Sequence, residues 1–362
     1  MRHLIWLSTN HPRRTDESVS NTPPILLRND LHANQMYACV VDQDGKKHLH
    51  RNFKTRQSDK FFAAIEPFGK ELVVGCESTF NWYWLSDECQ IRNIPFVLGH
   101  ALYLKAIHGA KVKNDKVDSE KLALLLRGGT FATAYAYPAK LRATRDLLRR
   151  RTHFVRLKAQ ALTHLQIVNH QHNLDAFEKK IAYKANRAEL GKRFDNPSVK
   201  ASVELDVRLA DFLHDEIRKL ELHIERSAKI DDPQSLFRLQ TIPGVGRILA
   251  LTMLYEIDTI KRFPTVGQFL SYSRLVKGYH TSAGKSYGSP GRKIGNAHLK
   301  WAFSEAVPLL KRCSPQASAF VDRIEKKRGK ARAFSYLAVK LGRAVYSMLK
   351  RGEAFEIDRM LR

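Results

Sequence analysis

The run Leu72-Val73-Val74-Gly75-Cys76-Glu77 consists of apolar or small residues that end on a carboxylate. Its β-branched content predicts a buried strand, and the next stretch, from Trp82 to Cys89, has the pattern of a helix. A strand that leads directly into a helix is typical of an α/β arrangement. The run therefore predicts a sheet covered by helices, with Glu77 immediately after one of its strands.

The segment before this run has the pattern of a three-stranded meander. Strands are predicted from Ile25 up to Asp30, over residues 36–41 and over residues 48–54, and residues 95–98 predict a fifth strand after the helix. A meander followed by alternating helices and strands predicts a mixed sheet.

Four carboxylates occur where these elements begin or end: Asp30, Glu77, Asp115 and Asp118. Asp115 and Asp118 open a predicted helix, and their i,i+3 spacing puts them on one helical face. Clustered carboxylates repel each other unless a hard cation neutralises them, and Mg²⁺ takes oxygen ligands of this kind. The alternative is ordinary, since an aspartate at a helix start is commonly a cap and a glutamate after a strand is commonly solvated.

The composition of the chain indicates a polyanionic partner. Its 362 residues include 62 Lys and Arg against 36 Asp and Glu, a formal charge of +26, which is typical of proteins that bind nucleic acid. A cationic secreted or membrane-surface protein is the alternative.

The four cysteines form no C-x-x-C pair, which argues against a zinc ribbon or a disulfide framework and favours a cytoplasmic protein. Cys39 and Cys76 fall in strand-like runs and are predicted core residues. The start of the chain lacks the sustained apolar region of a signal peptide or membrane span.

The middle of the chain has the pattern of two charged helices. Leu148, Val155 and Leu162 recur every seven residues. In the second helix a single apolar face is predicted from residues spaced by three and four: Leu205, Leu209, Leu213, Ile217, Leu220 and Ile224. The polar break between the helices predicts an antiparallel hairpin. The run Arg149-Arg150-Arg151 is either a nucleic-acid contact or a solvated helix face.

A serine is surrounded by cations in the stretch Gly278-Tyr279-His280-Thr281-Ser282-Ala283-Gly284-Lys285, which is too rich in Gly, Ser and His to be helical. A serine hydroxyl is a poor nucleophile until something cationic or basic stands beside it. His280 and Lys285 flank Ser282, and Arg292 and Lys293 follow shortly after. If the target is a phosphodiester, these cations also hold the anion. The alternative is a phosphate-touching loop whose serine only caps a helix.

The turn Pro243-Gly244-Val245-Gly246 leads into an apolar helix. Such a turn exposes backbone N–H groups with a favourable dipole, which can hold one backbone phosphate. Gly244 and Gly246 are therefore candidate nucleic-acid contacts in an element that resembles a helix-hairpin-helix. A plain helix–helix turn is the alternative.

Residues 30–34, 77–84 and 113–118 resemble the N-terminal DEDD domain of the insertion-sequence transposase family known as "IS one-ten", which includes the Piv-like invertases. Residues 242–301 are similar to the C-terminal domain of the same family. This resemblance implies a ribonuclease-H-like, RuvC-type fold with Asp30, Glu77, Asp115 and Asp118 as Mg²⁺ ligands. It also implies that Ser282 is a covalent nucleophile on DNA, with Thr281 as second choice, and that a structured guide RNA and self-association into a dimer or tetramer are expected.

The expected architecture is therefore α/β plus α. Residues 1–24 are predicted as a disordered leader, 25–138 as a RuvC-like domain, 139–232 as a helical coiled-coil spacer, and 233–362 as a small all-α domain. The expected function is a cytoplasmic DNA transposase or site-specific recombinase that works by Mg²⁺-assisted transesterification. The alternatives are a metal-dependent junction resolvase or nuclease that uses water, and an inactive nucleic-acid-binding remnant.

Overall fold

The computed structural model describes residues 26–107, 115–228, 232–278, 281–282, 285–286 and 294–362. The chain divides into two compact units, Met1–Ala139 and Lys140–Arg362. The predicted leader, residues 1–24, lies outside the described residues.

The first unit contains a five-stranded mixed sheet. Its strands are β1 (Leu26–Leu31), β2 (Gln35–Val41), β3 (Lys47–Lys54), β4 (Val73–Glu77) and β5 (Phe96–Gly99). The strand order is β3-β2-β1-β4-β5, so the first strand of the chain is the central one. β1, β2 and β3 are joined as an antiparallel meander, whereas β1, β4 and β5 are parallel. The predicted mixed sheet is confirmed.

The strands carry apolar side chains on both faces of the sheet. Helices cover both faces because these side chains must be buried. The helices are α1 (Ser58–Ile65), α2 (Trp82–Ile91), α3 (Ala101–Ile107) and α4 (Asp115–Arg127). On one face, Val74 and Cys76 of β4 pack in a cluster with α1 and α2. On the other face, Cys39 and Val41 of β2 pack against Ala123 of α4. Burying both faces makes this unit a three-layer sandwich.

The second unit is almost entirely helical. Its helices are α5 (Ala139–Gln171), α6 (Pro197–Ser227), α7 (Pro233–Gln240), α8 (Arg247–Ile257), α9 (Val266–Tyr272), α10 (Ala297–Cys313), α11 (Pro315–Arg328), α12 (Lys330–Arg351) and α13 (Ile357–Leu361). The prediction of a purely α domain is corrected in one detail, since β6 (Thr281–Ser282) and β7 (Lys285–Ser286) form a small hairpin.

The two long helices α5 and α6 run antiparallel, as the polar break between them predicts. Arg151 Nε donates to Glu221 Oε1 at 2.8 Å, so the early part of α5 lies beside the late part of α6. His164 and Asp206 form a pair at 2.5 Å between the late part of α5 and the early part of α6. Asn196 caps α6 with its side-chain oxygen, which accepts from the amides of Ser198 and Val199.

The apolar face predicted for α6 is partly wrong. Leu213, Ile217 and Ile224 are buried as predicted, whereas Leu205 and Leu209 are 60% and 45% exposed. Val203 and Ala210 take their place on the buried side. The helix therefore carries two apolar stripes. A spacing of three and four residues fits either of them, and only the packing shows which one is buried.

Three of the cysteines are buried and one is exposed. Cys39, Cys76 and Cys89 are buried in the first unit, which confirms the core positions predicted for Cys39 and Cys76, whereas Cys313 at the end of α10 is exposed. Burial raises the pKa of the Cys39 thiol to about 11 and that of Cys89 to about 12. Within the ranges that the structure describes, no helix has the length and apolarity needed to cross a bilayer.

Candidate catalytic sites

Asp30 and Glu77 occupy neighbouring positions at the carboxyl edge of the sheet. β1 and β4 are parallel, and their printed register ends with Asn29 opposite Cys76. Asp30 and Glu77 are the next residue of each strand. The sequence predicts Glu77 immediately after the strand, whereas in the structure Glu77 is the last residue of β4.

The direction of α4 brings its first turn to the same edge. Near the other end of the helix, Arg127 Nη1 donates to the carbonyl oxygen of Gln43, in the turn between β2 and β3. That turn lies at the amino end of β1, because β2 is antiparallel to β1 and Leu26 pairs with Val41. The helix is therefore antiparallel to β1. Asp115 and Asp118, in its first turn, lie toward the carboxyl edge of the sheet.

Glu77 lies on the face of the sheet that α4 covers. Glu77 alternates with Cys76 and so has the side of Val73, which packs in the cluster formed with Ala123 of α4. The side chains of Asp30, Asp115 and Asp118 lie outside the described part of the structure. Among the described residues there is no group of three or more His, Cys, Asp or Glu side chains that could hold a metal ion. Carboxylate oxygens on these four positions are the donor set that suits a hard divalent cation.

His100 also lies at this edge, and no sequence motif predicts it. It directly follows Gly99, which pairs with Glu77 across β4 and β5. Its backbone amide donates to the Ala132 carbonyl at 2.8 Å, and its Nδ1 is buried with no hydrogen-bond partner among the described residues. Burial lowers the pKa of the imidazole. The available signal was its place directly after an apolar strand next to the strand of Glu77.

Ser282 lies in the β6–β7 hairpin of the second unit. Thr281 pairs with Ser286 and Ser282 with Lys285. The backbone is extended here, in agreement with the predicted non-helical segment. Lys285 is exposed. His280, Arg292 and Lys293 lie outside the described residues.

The two ends of the segment that carries Ser282 are joined at its base. The amide of Asn296 donates to the carbonyl oxygen of Tyr272 at 2.6 Å, and Arg274 Nε donates to the Ile294 carbonyl at 2.7 Å. Gly295 has a φ of +83°, and a Cβ at this position would lie 2.7 Å from the Tyr272 carbonyl oxygen. Only glycine fits so close an approach at a positive φ. We call residues 272–296 the serine segment.

A buried carboxylate lies beside this base. Glu256 near the end of α8 is 2% exposed. Arg149 of α5 reaches it with two bonds, Nε to Oε1 at 2.6 Å and Nη2 to Oε2 at 2.9 Å, and Arg145 Nε donates to Oε2 at 3.0 Å. Asn296 Nδ2 also donates to Oε2, at 2.7 Å. Burial by itself raises the pKa of Glu256, but the Arg149 hydrogen bonds and the charges of Arg145 and Arg149 outweigh it, so the pKa is lowered.

His298, in the first turn of α10, lies near this cluster. Burial and then the Arg149 charge lower the pKa of His298 to about 4. Its Nδ1 is buried and has no hydrogen-bond partner among the described residues. Neither His298 nor Glu256 is predictable from the sequence, because a lone histidine or glutamate in a helical pattern carries no chemical signal.

The arginine run of α5 is partly internal. Arg149 binds Glu256 and Arg151 binds Glu221, so neither guanidinium belongs to a solvated face, one of the two readings that the sequence left open. Arg150 is exposed.

Comparison with known proteins gives matches over both units. A family model of IS110 DEDD transposases, described as a transposase, matches residues 29–170, and the model "Transposase IS116/IS110/IS902 family" matches residues 237–322. The transposase for insertion sequence element IS1111A of Coxiella burnetii is 22% identical over 342 residues, which cover 90% of each chain. An insertion element IS110 protein of Streptomyces coelicolor, itself uncharacterized, is 25% identical over 146 residues, 40% of this chain and 35% of its own.

The chain belongs to the IS110 family of transposases. It is therefore a DNA transposase, an enzyme class that cuts and rejoins DNA. The DEDD match implies a ribonuclease-H-like fold of the RuvC type, and the mixed sheet of the first unit has the strands that this fold needs.

In this IS110 family member, the glycines of residues 243–246 lie in the turn between α7 and α8. Gly244 has a φ of +84°, and a Cβ there would lie 2.7 Å from Cβ of Leu309, so this glycine is required for close packing. Gly246 caps the start of α8, is exposed, and has open space at its Cβ position. The turn thus leaves the α8 amino end accessible, and its role as a phosphate contact stays a prediction.

Proposed function

We propose that this transposase cuts and rejoins DNA by Mg²⁺-assisted transesterification, with Ser282 as the nucleophile and Asp30, Glu77, Asp115 and Asp118 as metal ligands. The observation that carries the proposal is the meeting of three elements at one edge of the sheet. The ends of β1 and β4 lie side by side there, and α4 starts toward them. Four carboxylate-bearing positions at such an edge are difficult to explain as independent caps.

The chemistry that the metal supplies when bound is neutralisation of charge on the scissile phosphate. The chain's own residues supply the rest. The Ser282 hydroxyl oxygen forms a bond to phosphorus and loses its proton, while the bond from phosphorus to a sugar oxygen breaks and that oxygen takes up a proton. The product is a phosphoserine link that a second strand end reverses. Lys285 next to Ser282 in the hairpin, with His280, Arg292 and Lys293 along the segment, favours the anionic substrate.

Contacts away from the reacting atoms are assigned to the basic surface and the glycine turn. Gly244 and Gly246 open α8, where backbone amides favour a phosphate. The net charge of +26 suits DNA and also a structured guide RNA encoded by the element, which we propose as a second partner. Adding the element's RNA transcript to the purified protein should raise the yield of the covalent protein–DNA adduct, which tests this partner.

We further propose that the protein acts as a homo-oligomer, a dimer or a tetramer. Leu205, Leu209 and Phe212 form an exposed apolar stripe along α6. A second copy of the same helix covers such a stripe with matching chemistry.

A covalent-adduct assay tests the nucleophile. Ser282→Ala should abolish the protein–DNA species that survives denaturing electrophoresis, while DNA binding stays intact. Ser286→Ala, in the partner strand of the same hairpin, is the matched control and should retain the adduct. Thr281→Ala tests the second choice. Adducts that persist in Ser282→Ala overturn the serine assignment.

A second assay tests the carboxylates. Asp118→Asn should remove metal-dependent cleavage because it deletes one charged ligand, whereas Glu120→Gln on the same helix, which pairs with Lys47, is the matched control. Cleavage that needs Asp118 but not Ser282 and leaves no adduct would identify a resolvase or nuclease that uses water. Unchanged strand exchange in Asp118→Asn removes the metal site from the proposal.

A further inference from the structure

A buried polar cluster joins the two ends of the serine segment to α8. Asn296 already completes its role as the cap of α10, since its side-chain oxygen accepts from the amides of His298 and Leu299 at 2.9 Å each. Its amide nitrogen is then left to donate, and it donates to Glu256 at 2.7 Å and to the Tyr272 hydroxyl at 3.1 Å. One side chain therefore fastens the cap, the end of α9 and the buried carboxylate.

The carboxylate in turn fastens the long helix. A bidentate arginine–carboxylate pair fixes direction as well as distance, because two parallel N–H groups meet two oxygens. Arg149 makes this pair with Glu256, and Arg145, 7% exposed, adds a third bond from the preceding turn of α5. Away from water these bonds are stronger than on the surface.

Both ends of the serine segment are thus connected to α5 through Glu256. Tyr272 and Asn296 hold each other through backbone and side chain, and Asn296 leads to Glu256 and then to Arg149. Closing a segment at its ends removes most of the conformations that it could otherwise adopt.

We propose that Glu256 is a positioning residue for the serine segment: through Asn296 it fixes the base of that segment to Arg145 and Arg149 of α5. Loss of this anchor should therefore slow the reaction of Ser282. This inference rests on the proposed role of Ser282 for its catalytic consequence, and on the described hydrogen bonds for the anchor itself.

The test uses substitutions that keep the helix cap and cut the link. Aspartate caps a helix as well as asparagine does, so Asn296→Asp preserves the bonds to the α10 amides. At pH 8 it places a carboxylate against Glu256 in place of the donating amide. Asn196→Asp is the matched control, because Asn196 caps α6 in the same way. Asn296→Ser and Asn196→Ser repeat the comparison with a shorter cap if the aspartate variant does not fold.

Two measurements are made on the full-length variants. Asn296→Asp should raise amide hydrogen exchange in peptides from residues 272–296 by about ten-fold, because opening of the base becomes easier. The rate of adduct formation should fall by about ten-fold while the Kd for DNA is unchanged, as expected for a group that orients and does not bind. Asn196→Asp should change neither.

The α5 side of the anchor has its own pair of variants. Arg149→Lys removes the bidentate contact to Glu256, and Arg151→Lys weakens a comparable arginine–glutamate contact on the same helix. Exchange in residues 272–296 should rise in Arg149→Lys and not in Arg151→Lys.

The outcomes separate the two proposals. Equal exchange in Asn296→Asp and Asn196→Asp, or in both arginine variants, overturns the anchor whatever the adduct assay gives. A wild-type protein that forms no adduct, with faster exchange in Asn296→Asp, overturns the role of Ser282 and supports the anchor. Faster exchange with an unchanged adduct rate overturns the positioning role.

Discussion

Gly295 shows at the residue scale how closely the serine segment is closed. Alanine at this position has to adopt a φ of +83° and to approach the Tyr272 carbonyl oxygen. Gly295→Ala should therefore lower the free energy of unfolding by ~1–3 kcal/mol, measured by urea denaturation. Gly267→Ala is the control, since a Cβ there meets only Thr265 Oγ1 at 3.8 Å. Equal stability of the two variants would contradict this reading of the base.

His298 makes stability depend on pH. Its pKa falls from 6.5 to about 4 on folding, so between these pH values the unfolded chain binds more protons than the folded chain. The stabilisation is complete above pH 6.5 and is lost as the pH falls toward 4. The slope is below the limit of about 1.4 kcal/mol per pH unit, because part of the ring is open to water.

Denaturation curves between pH 7 and pH 4.5 measure this slope. His298→Gln should flatten the curve relative to the wild type. A slope that is identical in His298→Gln and wild type would show that other groups cause the acid sensitivity.

Which of these residues the sequence could reveal depends on how local their chemistry is. Glu77 could be placed beside a strand end because the apolar run before it is continuous in sequence. The Glu256 cluster could not be predicted, since its arginines lie 107 and 111 residues away along the chain. Pairing at such a distance is set by packing and leaves no periodic pattern.

At the scale of elements, α6 gives the clearest test of self-association. Leu209→Glu with Phe212→Glu puts two charges on the exposed stripe and should shift the protein toward monomer in analytical ultracentrifugation, because burying unpaired charges at an interface is costly. Leu222→Glu is the control, a 47% exposed leucine on a different side of the same helix. A wild-type protein that is already monomeric at micromolar concentration would contradict the proposal.

Elements were predictable in kind and less so in detail. The five strands and the long helices appear where the periodicity predicts them, because each buries a patterned face. On α6 the periodicity predicts Leu213, Ile217 and Ile224 correctly and Leu205 and Leu209 wrongly as buried, because two stripes of the helix are apolar and packing against α5 and the residues after it determines which one is covered. The β6–β7 hairpin was predicted only as non-helical, because two-residue strands have no period to read.

At the scale of the whole molecule, the two proposed sites lie in different compact units. If the metal site and the serine of one reaction come from different protomers, the two defective variants can complement each other. Protein carrying Ser282→Ala mixed with protein carrying Asp118→Asn should then regain part of the adduct yield. Each variant alone is the control. The two variants are mixed and refolded together, and denaturing electrophoresis then measures how much adduct is recovered. No recovery in a proven mixed oligomer would mean that both sites act within one chain.

The uneven exposure of the thiols has a practical consequence. Cys39, Cys76 and Cys89 are sealed in the first unit, whereas Cys313 is open at the far end of the helix that Asn296 begins. A maleimide fluorophore added to the native protein should therefore attach at one defined point, without any engineered substitution. That natural handle would let single-molecule fluorescence follow α10, the helix that comes after the hairpin of Ser282 in the chain, while DNA is bound.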